Sequence, residues 1–324
     1  MNIISDIKKR AKTNIKTILL PELDIRILKA CKIVKKEGFA NVILVGNTKE
    51  IINFAENNKI NIKNINIIDP NNYNNIETVI NEYYLLRRDK GVTREEARET
   101  ILNNYMYFSC MLVKLGCADG VVSGAIHTSS DTIRPALQII KAKSGFASSF
   151  FLMDIKDIGP VIYSDCGMIQ NPTDIELADI SYQASNSYKL LMNNEAKIAL
   201  LSHSTFGSSI CDDQRKVVSA VQLAHQKYPE LNLDGELQFD AAICPDIAKI
   251  KAPNSKVAGY ANTFIFPDLD SGNIAYKITE RLGNCHAYGP IMQGLNKPVN
   301  DLSRGSSIED IVGVIAITAL QAQK

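Results

Sequence analysis

The side chains best suited to chemistry are concentrated near the C-terminus, in the stretch KPVNDLSRGSSIEDIVGVIAITAL at residues 297–320. Ser303, Arg304 and Asp310 lie just before, or at the start of, an apolar segment whose pattern predicts a helix. A hydroxyl, a guanidinium and a carboxylate beside the positive end of a helix dipole can bind an anion and transfer a proton. This arrangement is typical of a catalytic site for an anionic substrate.

The same residues also fit a purely structural pattern. Ser306-x-x-Glu309 matches a capping box, and Ser307 with Asp310 matches it one residue later. If Ser306 and Glu309 form the cap, Asp310 and Ser303 have no structural role, and we expect them to be available for chemistry. Spacing alone leaves capping and catalysis both open.

A second polar cluster, VVSGAIHTSSDTIRPAL at residues 121–137, follows an apolar run and contains Thr128, Ser129 and Arg134. Open α/β sheets bind ligands beyond the carboxyl ends of their strands, and hydroxyls with an arginine suit a phosphate or carboxylate. Pro135 indicates a helix start, where an arginine is unfavourable unless it binds an anion. The alternative, here and for LSHSTFGSS at 201–209, is that the hydroxyls only cap helices.

The elements that position these clusters alternate between strand and helix. Strands are predicted at TILL (17–20), NVILV (41–45), INIID (65–69) and DGVVSGA (119–125), with helices at 24–38, at 48–57 and over much of 76–116. FASSFFLMD and GPVIYSDC predict a hairpin that opens a second unit, and AKIALLS (196–202) and NTFIFPD (262–268) predict further strands. The pattern indicates an α/β protein with largely parallel sheets.

Length and composition narrow the class of protein. The chain has 324 residues, which predicts two domains or one large α/β unit, and 36 basic against 35 acidic residues give no general attraction to nucleic acid or to anionic membranes. The longest apolar run is too short to cross a bilayer, and no secretory signal is evident, so we expect a cytoplasmic protein. The seven cysteines form no C-x-x-C pair, which argues against a zinc site and a disulfide framework. Common nucleotide-binding motifs are missing.

The sequence resembles phosphate acetyltransferase (phosphotransacetylase) in its short form. The resemblance is carried by KPVNDLSRGSSIEDIVG, VVSGAIHTSSDTIRPALQIIK, NPTDIELADI, DGELQFDAA and VAGYANTFIFPDLDSGNIAYK, and runs from about residue 17 to the end. It implies the reversible reaction of acetyl-CoA with phosphate to give acetyl phosphate and CoA, without a metal or prosthetic group.

The resemblance also implies an architecture. We expect two three-layer α/β/α domains that flank a cleft, as in isocitrate and isopropylmalate dehydrogenases, and a homodimer. The first domain is expected to combine residues 1–146 and 299–324, with residues 147–298 inserted between them. That division would bring the C-terminal stretch beside the 121–137 cluster.

Roles for individual residues follow from the same resemblance. Asp310 is expected to be the general base for the CoA thiol, Arg304 to neutralise phosphate and developing charge, and Ser303 to hydrogen-bond the reacting centre. Arg134 and Arg87 are expected to contact CoA, with Thr128 and Ser129 in the phosphate pocket. Cys166 is expected to be structural. The sequence departs from the family pattern at Leu23, His203 and Phe206.

Two other functions fit parts of the pattern. Phosphate butyryltransferase performs the same chemistry on a longer acyl chain, and a methylene or two changes binding by only about 1–3 kcal/mol. A non-catalytic module that senses acetyl-CoA is the other candidate, and the joint presence of Ser303, Arg304 and Asp310 argues against it. A dehydrogenase is disfavoured because the sequence lacks a metal-binding set of acids and a nucleotide fingerprint.

Overall fold

The structure is a computed structural model that describes residues 3–143 and 145–324. The chain divides into two compact units, Met1–Ala147 with Gly294–Lys324, and Ser148–Gln293. The first unit is therefore discontinuous in sequence and the second is continuous. Residues 294–298, expected in the inserted domain, belong to the first unit because Ala142 bridges Leu295 and the Asn296 side chain donates to the Ile140 and Lys141 carbonyls.

The strands, in chain order, are β1 Thr17–Leu20, β2 Asn41–Val45, β3 Asn66–Ile68, β4 Gly120–Ser123, β5 Ser148–Ile155, β6 Gly159–Ser164, β7 Ile198–Leu201, β8 Leu233–Leu237, β9 Thr263–Ile265, β10 His286–Gln293 and β11 Val299–Asp301. They form one sheet in each unit. The first has the order β11-β4-β1-β2-β3, with every neighbouring pair parallel. The second has the order β10-β5-β6-β9-β7-β8, antiparallel from β10 to β6 and parallel from β6 to β8.

The helices are α1 Ile3–Ala11, α2 Ile25–Glu37, α3 Thr48–Asn57, α4 Ile76–Arg87, α5 Arg94–Asn103, α6 Tyr105–Lys114, α7 Ser129–Pro135, α8 Asp174–Met192, α9 Asp212–Lys227, α10 Phe239–Ile243, α11 Pro245–Lys251, α12 Leu269–Leu282 and α13 Ile308–Gln321. Short 3₁₀ turns at Pro70–Asn72 and Arg88–Lys90 and a π-helical turn at Ala136–Ile140 complete them. None of the helices in the described ranges is long and apolar enough to span a membrane.

The core of the first unit lies on both sides of its parallel sheet. All four residues of β4 are buried, and the strand contacts α6 as well as α13. Helix α13 is apolar almost throughout, and Asp310 to Leu320 are all buried, while α1 and α2 pack against it. An apolar strand covered on both faces is the expected form of a buried parallel sheet, so the α/β prediction is confirmed.

The second unit encloses its own core. A cluster that includes Phe151, Tyr163 and Phe264 lies between the sheet and its helices, and Phe151 stacks on Tyr276 of α12 with ring centroids 3.9 Å apart. Helices α8 and α9 pack on one another and contact the parallel part of the sheet. The predicted hairpin is confirmed as the antiparallel pair β5 and β6.

Two local predictions are wrong in detail. The helix expected to begin at Pro135 begins at Ser129 instead, because Thr128 and Asp131 form a capping box that starts α7 six residues earlier. Pro135 is the last residue of that helix and precedes the π-helical turn. The third strand is also shorter than INIID and covers only Asn66–Ile68.

Candidate active site

Pairing between β11 and β4 brings the two polar clusters of the first unit together. The strands are parallel, with Asp301 opposite Ser123, so the loops that follow them leave the same edge of the sheet. One loop leads to Ser303 and α13, and the other leads to Thr128 and α7. Strand ends of this kind are where open α/β sheets bind ligands.

The N-terminus of α13 is capped by Ser307 and Asp310, rather than by Ser306 and Glu309. The Asp310 Oδ2 atom accepts hydrogen bonds from the Ser307 amide and hydroxyl, both at 2.8 Å, and the Asp310 amide donates to Ser307 Oγ at 3.1 Å. The condition under which Asp310 would have no structural role, a cap made by Ser306 and Glu309, is therefore not met. The buried Asp310 carboxylate is held in place by the cap.

Ser303 and Arg304 lie on a tight turn immediately before that cap. The Ser306 amide donates to the Ser303 carbonyl at 2.9 Å, and the Gly305 amide approaches Ser303 Oγ at 3.3 Å. The Arg304 side chain is exposed, and among the described residues no acidic side chain forms an ion pair with it. A guanidinium beside a helix N-terminus and without an internal counter-ion favours binding of an anion.

Glu22 organises the loop that follows β4. Its carboxylate accepts hydrogen bonds from the amides of Ala125 at 2.8 Å and His127 at 3.2 Å, and it lies 2.8 Å from His127 Nδ1. The side chain is fully buried, so these bonds replace the water that the carboxylate loses. Glu22 is not among the residues predicted from the sequence; its only signal is an acid two positions after the end of the first predicted strand.

Thr128 and Ser129 stand at the start of α7 and have different environments. The Thr128 amide and hydroxyl donate to Asp131 Oδ2 at 3.2 and 2.7 Å, and these bonds lower the pKa of Asp131. Thr128 is therefore engaged in a cap. Ser129 is exposed in the first turn, on the side of the helix that approaches Asp301.

Asp301 is a buried carboxylate without a regular hydrogen bond. Both of its oxygen atoms are enclosed, and although the Ser129 and Thr132 side chains and the Leu302 amide lie close enough to moderate its pKa, none makes a hydrogen bond of good geometry. Burial raises the pKa of Asp301 to about 6. Gly124 is required beside it, because an added Cβ would lie 2.1 Å from Asp301 Oδ1. Asp301 is the second residue of this site that sequence analysis did not assign.

Arg87 and Arg134 each lie close enough to Tyr107 for their charges to act on its phenol. Burial raises the pKa of the Tyr107 phenol, and the positive charges of Arg134 and Arg87 both oppose that rise. The exposed Arg134 donates to Ser130 Oγ at 3.0 Å, while the Arg87 Nε is buried without a hydrogen-bond partner among the described residues. Two guanidinium groups that act on the same phenol, one of them with an unsatisfied donor, are suited to bind an anion.

The similar cluster at residues 201–209 has a structural explanation. Glu236 accepts hydrogen bonds from the Gly207 amide at 2.7 Å, the Ser204 hydroxyl at 2.9 Å and Gln214 at 3.0 Å. Burial opposes ionisation of Glu236, but these bonds outweigh it and lower its pKa. The hydroxyls of this loop therefore serve to hold the loop. The departures His203 and Phe206 lie here, with His203 Nε2 3.2 Å from Ser209 Oγ.

The Cys166 thiol lies in a structural setting, and the described residues contain no cluster of metal ligands. Cys166 is fully buried, and burial raises the pKa of its thiol well above the usual value, which suits a structural residue. All seven cysteines are free. Across residues 3–143 and 145–324, no three His, Cys, Asp or Glu side chains are grouped as metal ligands would be.

Comparison with known proteins agrees with this geometry. Residues 2–319 match the family model described as phosphate acetyl/butaryl transferase. The chain is 49% identical to the phosphate acetyltransferase of Acetivibrio thermocellus, in an alignment that covers 100% of this chain and 99% of that protein.

Solved structures give the same result. The chain superimposes on a phosphotransacetylase from Streptococcus pyogenes with a TM-score of 0.92 and 45% identity, over 99% of this chain and 98% of the other. A 4-hydroxythreonine-4-phosphate dehydrogenase described as putative, from Salmonella typhimurium, shares only the fold, with a TM-score of 0.57 and 12% identity over 95% of this chain and 99% of that one. The expected dehydrogenase-like architecture is therefore confirmed.

Proposed function

Because this chain belongs to the phosphate acetyl/butaryl transferase family, we propose that Ser303, Arg304 and Asp310 carry its chemistry, by direct transfer of the acetyl group between bound substrates. The protein is an acyltransferase with phosphate acetyltransferase activity: it converts acetyl-CoA and phosphate reversibly into CoA and acetyl phosphate. The observation that supports the assignment is that the three residues stand together at the N-terminus of one buried helix, on a loop beside the 121–137 cluster.

In the direction of acetyl-CoA synthesis, Asp310 accepts the proton of the CoA thiol. The thiolate then attacks the acetyl carbonyl, a C–S bond forms, and the C–O bond to phosphate breaks with its electron pair leaving on phosphate. Forming a thiolate at pH 7 from a thiol of pKa near 8.5 costs about 2 kcal/mol. A positioned carboxylate reduces that cost by taking up the proton as the attack proceeds.

Arg304 and Ser303 stabilise the charge that this attack creates. The exposed guanidinium neutralises phosphate and the developing oxyanion, and the Ser303 hydroxyl hydrogen-bonds the reacting centre. Removal of one preorganised donor to an oxyanion typically costs about 2.7–4 kcal/mol, which exceeds the cost of forming the thiolate. Electrostatic stabilisation is therefore the larger contribution.

We assign the substrate contacts to the neighbouring cationic and hydroxyl groups. Arg87 and Arg134 bind the anionic groups of CoA, which would satisfy the buried Arg87 Nε. Ser129 contacts phosphate, and Thr128 lies in the same pocket, where it also fixes the turn through Asp131. Since guanidinium groups supply the positive charge at each anion, the proposed mechanism requires no metal or prosthetic group. Full activity after chelation and dialysis is the expected result, and loss that one divalent ion restores would contradict it.

We further propose a cytoplasmic homodimer. Helix α12 exposes an apolar stripe at intervals of four residues: Ile274, Ile278 and Leu282 are 58%, 53% and 83% exposed. A second copy of the chain would cover such a stripe, because single-sided apolar rows of this kind are uncommon on monomers. Seven free thiols suit a reducing compartment.

Isotope exchange tests direct transfer. In a ternary mechanism, labelled phosphate enters acetyl phosphate only when CoA is also present, because no acetyl group is ever held by the protein. Exchange in the complete absence of CoA would show an acetyl-enzyme and overturn the proposal. The matched experiment with acetyl phosphate and CoA, which must yield the thioester, confirms that the preparation is active.

A further inference from the structure

Arg26 joins two loops that are far apart in the sequence. Its Nη1 donates to the carbonyl oxygens of Arg304 and Ser306, both at 2.9 Å, and its Nη2 donates to the carbonyl of Ala125 at 2.8 Å. The first two acceptors belong to the turn that carries Ser303 and Arg304, and the third belongs to the loop after β4. One side chain therefore ties the catalytic turn to the loop that leads to Ser129.

The orientation of Arg26 is itself fixed. Asp24 accepts from Arg26 Nε and Nη2, both at 3.0 Å, and also caps α2 by accepting from the Arg26 amide at 2.7 Å. The hydrogen bond to Asp24 raises the pKa of Arg26, so the guanidinium stays charged. A planar group held at both edges by a carboxylate presents its remaining donors in set directions.

These contacts use the whole hydrogen-bonding capacity of the guanidinium. An arginine side chain has five N–H donors, and Arg26 makes five side-chain hydrogen bonds within the first unit. No donor remains for a substrate. Any effect of Arg26 on the reaction must therefore act through the residues that it holds.

A residue shortly before Arg26 extends the same connection. Glu22, four positions earlier, holds the amides of Ala125 and His127, so the segment 21–26 contacts the loop after β4 from two points. None of these contacts involves the side chain of Leu23, which is where the sequence departs from the family pattern. The departure leaves the connection intact.

We infer that Arg26 is a positioning residue for acetyl transfer, which sets the direction of the Ser303–Ser306 turn relative to the loop after β4. The inference rests on the proposed roles of Ser303 and Arg304. The carbonyl of residue 304 belongs to the peptide that follows Arg304, so holding it fixes the backbone on which that guanidinium is mounted. Displacement of a reacting group by about 1 Å lowers the rate by about 100-fold. The proposed CoA contacts Arg87 and Arg134 lie on other segments, so we expect binding of CoA to be little affected.

The test compares kcat and KM in Arg26→Ala and Arg26→Lys with those of Arg304→Ala. We expect Arg26→Ala to lose about 100-fold in kcat with the KM for CoA within about twofold of the parent. Arg26→Lys keeps the charge, but a single ammonium with three donors cannot span these acceptors, so we expect a kcat between those of Arg26→Ala and the parent. Arg215→Ala, which removes an exposed arginine paired with Asp212 in the second unit, is the control and should retain kcat.

Asp24→Asn separates positioning from folding. Asparagine keeps the cap on α2 but weakens the pair that orients Arg26, so kcat should fall by roughly three- to tenfold with little change in melting temperature. The double variant with Arg26→Ala should be no slower than Arg26→Ala alone. A kcat within twofold of the parent in folded Arg26→Ala, while Arg304→Ala is crippled, overturns the positioning role alone. A parental kcat in both Arg26→Ala and Arg304→Ala overturns the proposed function and this inference with it.

Discussion

The Ser307 hydroxyl donates a hydrogen bond of 2.8 Å to the Asp310 carboxylate, so the proposed base of the reaction is also part of the cap of α13. Both roles use the same side chain, and replacement of Asp310 alone affects both. Among the residues that the structure describes, the Ser307 hydroxyl hydrogen-bonds only to Asp310. Variants of the two residues therefore separate proton transfer from helix capping.

Asp310→Asn should lose much of its activity at pH 7 and regain part of it as pH approaches the thiol pKa, because solvent then supplies the thiolate. Ser307→Ala should lose about 1 kcal/mol of stability and show a deficit in kcat/KM that does not change with pH. The measurement is kcat/KM from pH 6.5 to 9 for both variants and the parent. An equally flat deficit for Asp310→Asn would assign Asp310 to the cap alone.

Arg304→Ala should be slower than the parent by about 100- to 1,000-fold at every pH, because thiolate cannot replace the missing positive charge. Arg304→Lys retains a charge without the planar pair of donors, and we expect an intermediate rate. Rates are measured under saturating substrates over the same pH range. A rise of Arg304→Ala toward the parent at high pH would show that this residue assists deprotonation instead.

Asp301→Asn should gain stability relative to the parent as pH rises. The pKa of Asp301 is raised from 3.8 to about 6 in the folded protein, so its ionised form opposes folding. This cost is absent below pH 3.8 and complete above about pH 6, and the two pKa values correspond to about 3 kcal/mol.

Urea unfolding of Asp301→Asn and the parent at several pH values between 4 and 8 measures the change. Burying the amide in Asp301→Asn has a cost that does not depend on pH, so this cost cancels when the stability of each protein is compared between pH values. Asp89→Asn, at a side chain that is 89% exposed, measures the effect of removing an acid as such. A difference between Asp301→Asn and the parent that stays constant with pH would contradict the raised pKa.

Arg134→Ala and Arg87→Ala should weaken CoA binding with little effect on kcat. A hydrogen bond to a charged group contributes about 1.5–3 kcal/mol, so we expect the KM for CoA to rise by about 10- to 100-fold. Arg98→Ala, which removes an exposed partner of Glu77 in the same unit, should leave KM unchanged. Loss of kcat at constant KM would show that these arginines act on the reacting centre.

Ile278→Asp should dissociate the proposed homodimer, because it places a charge in the middle of the exposed stripe on α12. The same change at Ile250, an 83% exposed residue of α11, is the control and should leave the dimer intact. Sedimentation at micromolar concentration measures both. A parent protein that sediments as a monomer contradicts the dimer itself, and a dimeric Ile278→Asp contradicts its assignment to α12.

Local pattern predicted most of the elements. TILL is β1 and TKEIINFAEN is α3 at the predicted bounds, because apolar runs and an Asn cap decide such segments without help from the rest of the chain. The start of α13 was different, because Ser306 and Ser307 both fit a capping box and only the folded backbone distinguishes them. The same holds for α7, where two start signals compete.

The contacts that connect the loops of the site could not be predicted from the sequence. Arg26 reaches acceptors 99, 278 and 280 positions away, and nothing in PELDIR indicates them. The raised pKa of Asp301 likewise results from its enclosure by β4 and α7. Residue type and spacing give candidates for the groups that do chemistry, whereas the groups that hold them depend on which loops meet.

The discontinuous first unit has a consequence for synthesis on the ribosome. Strand β4 cannot pair with β11, and α13 cannot pack on the sheet, until residues after 293 have been translated. The second unit is continuous and has its complete sequence earlier. We therefore expect the second unit to fold before the first, the reverse of the usual order in which N-terminal domains fold first. Ser303, Arg304 and Asp310 follow the second unit in the sequence, so a nascent chain gains its proposed catalytic groups only after the whole second unit has been translated.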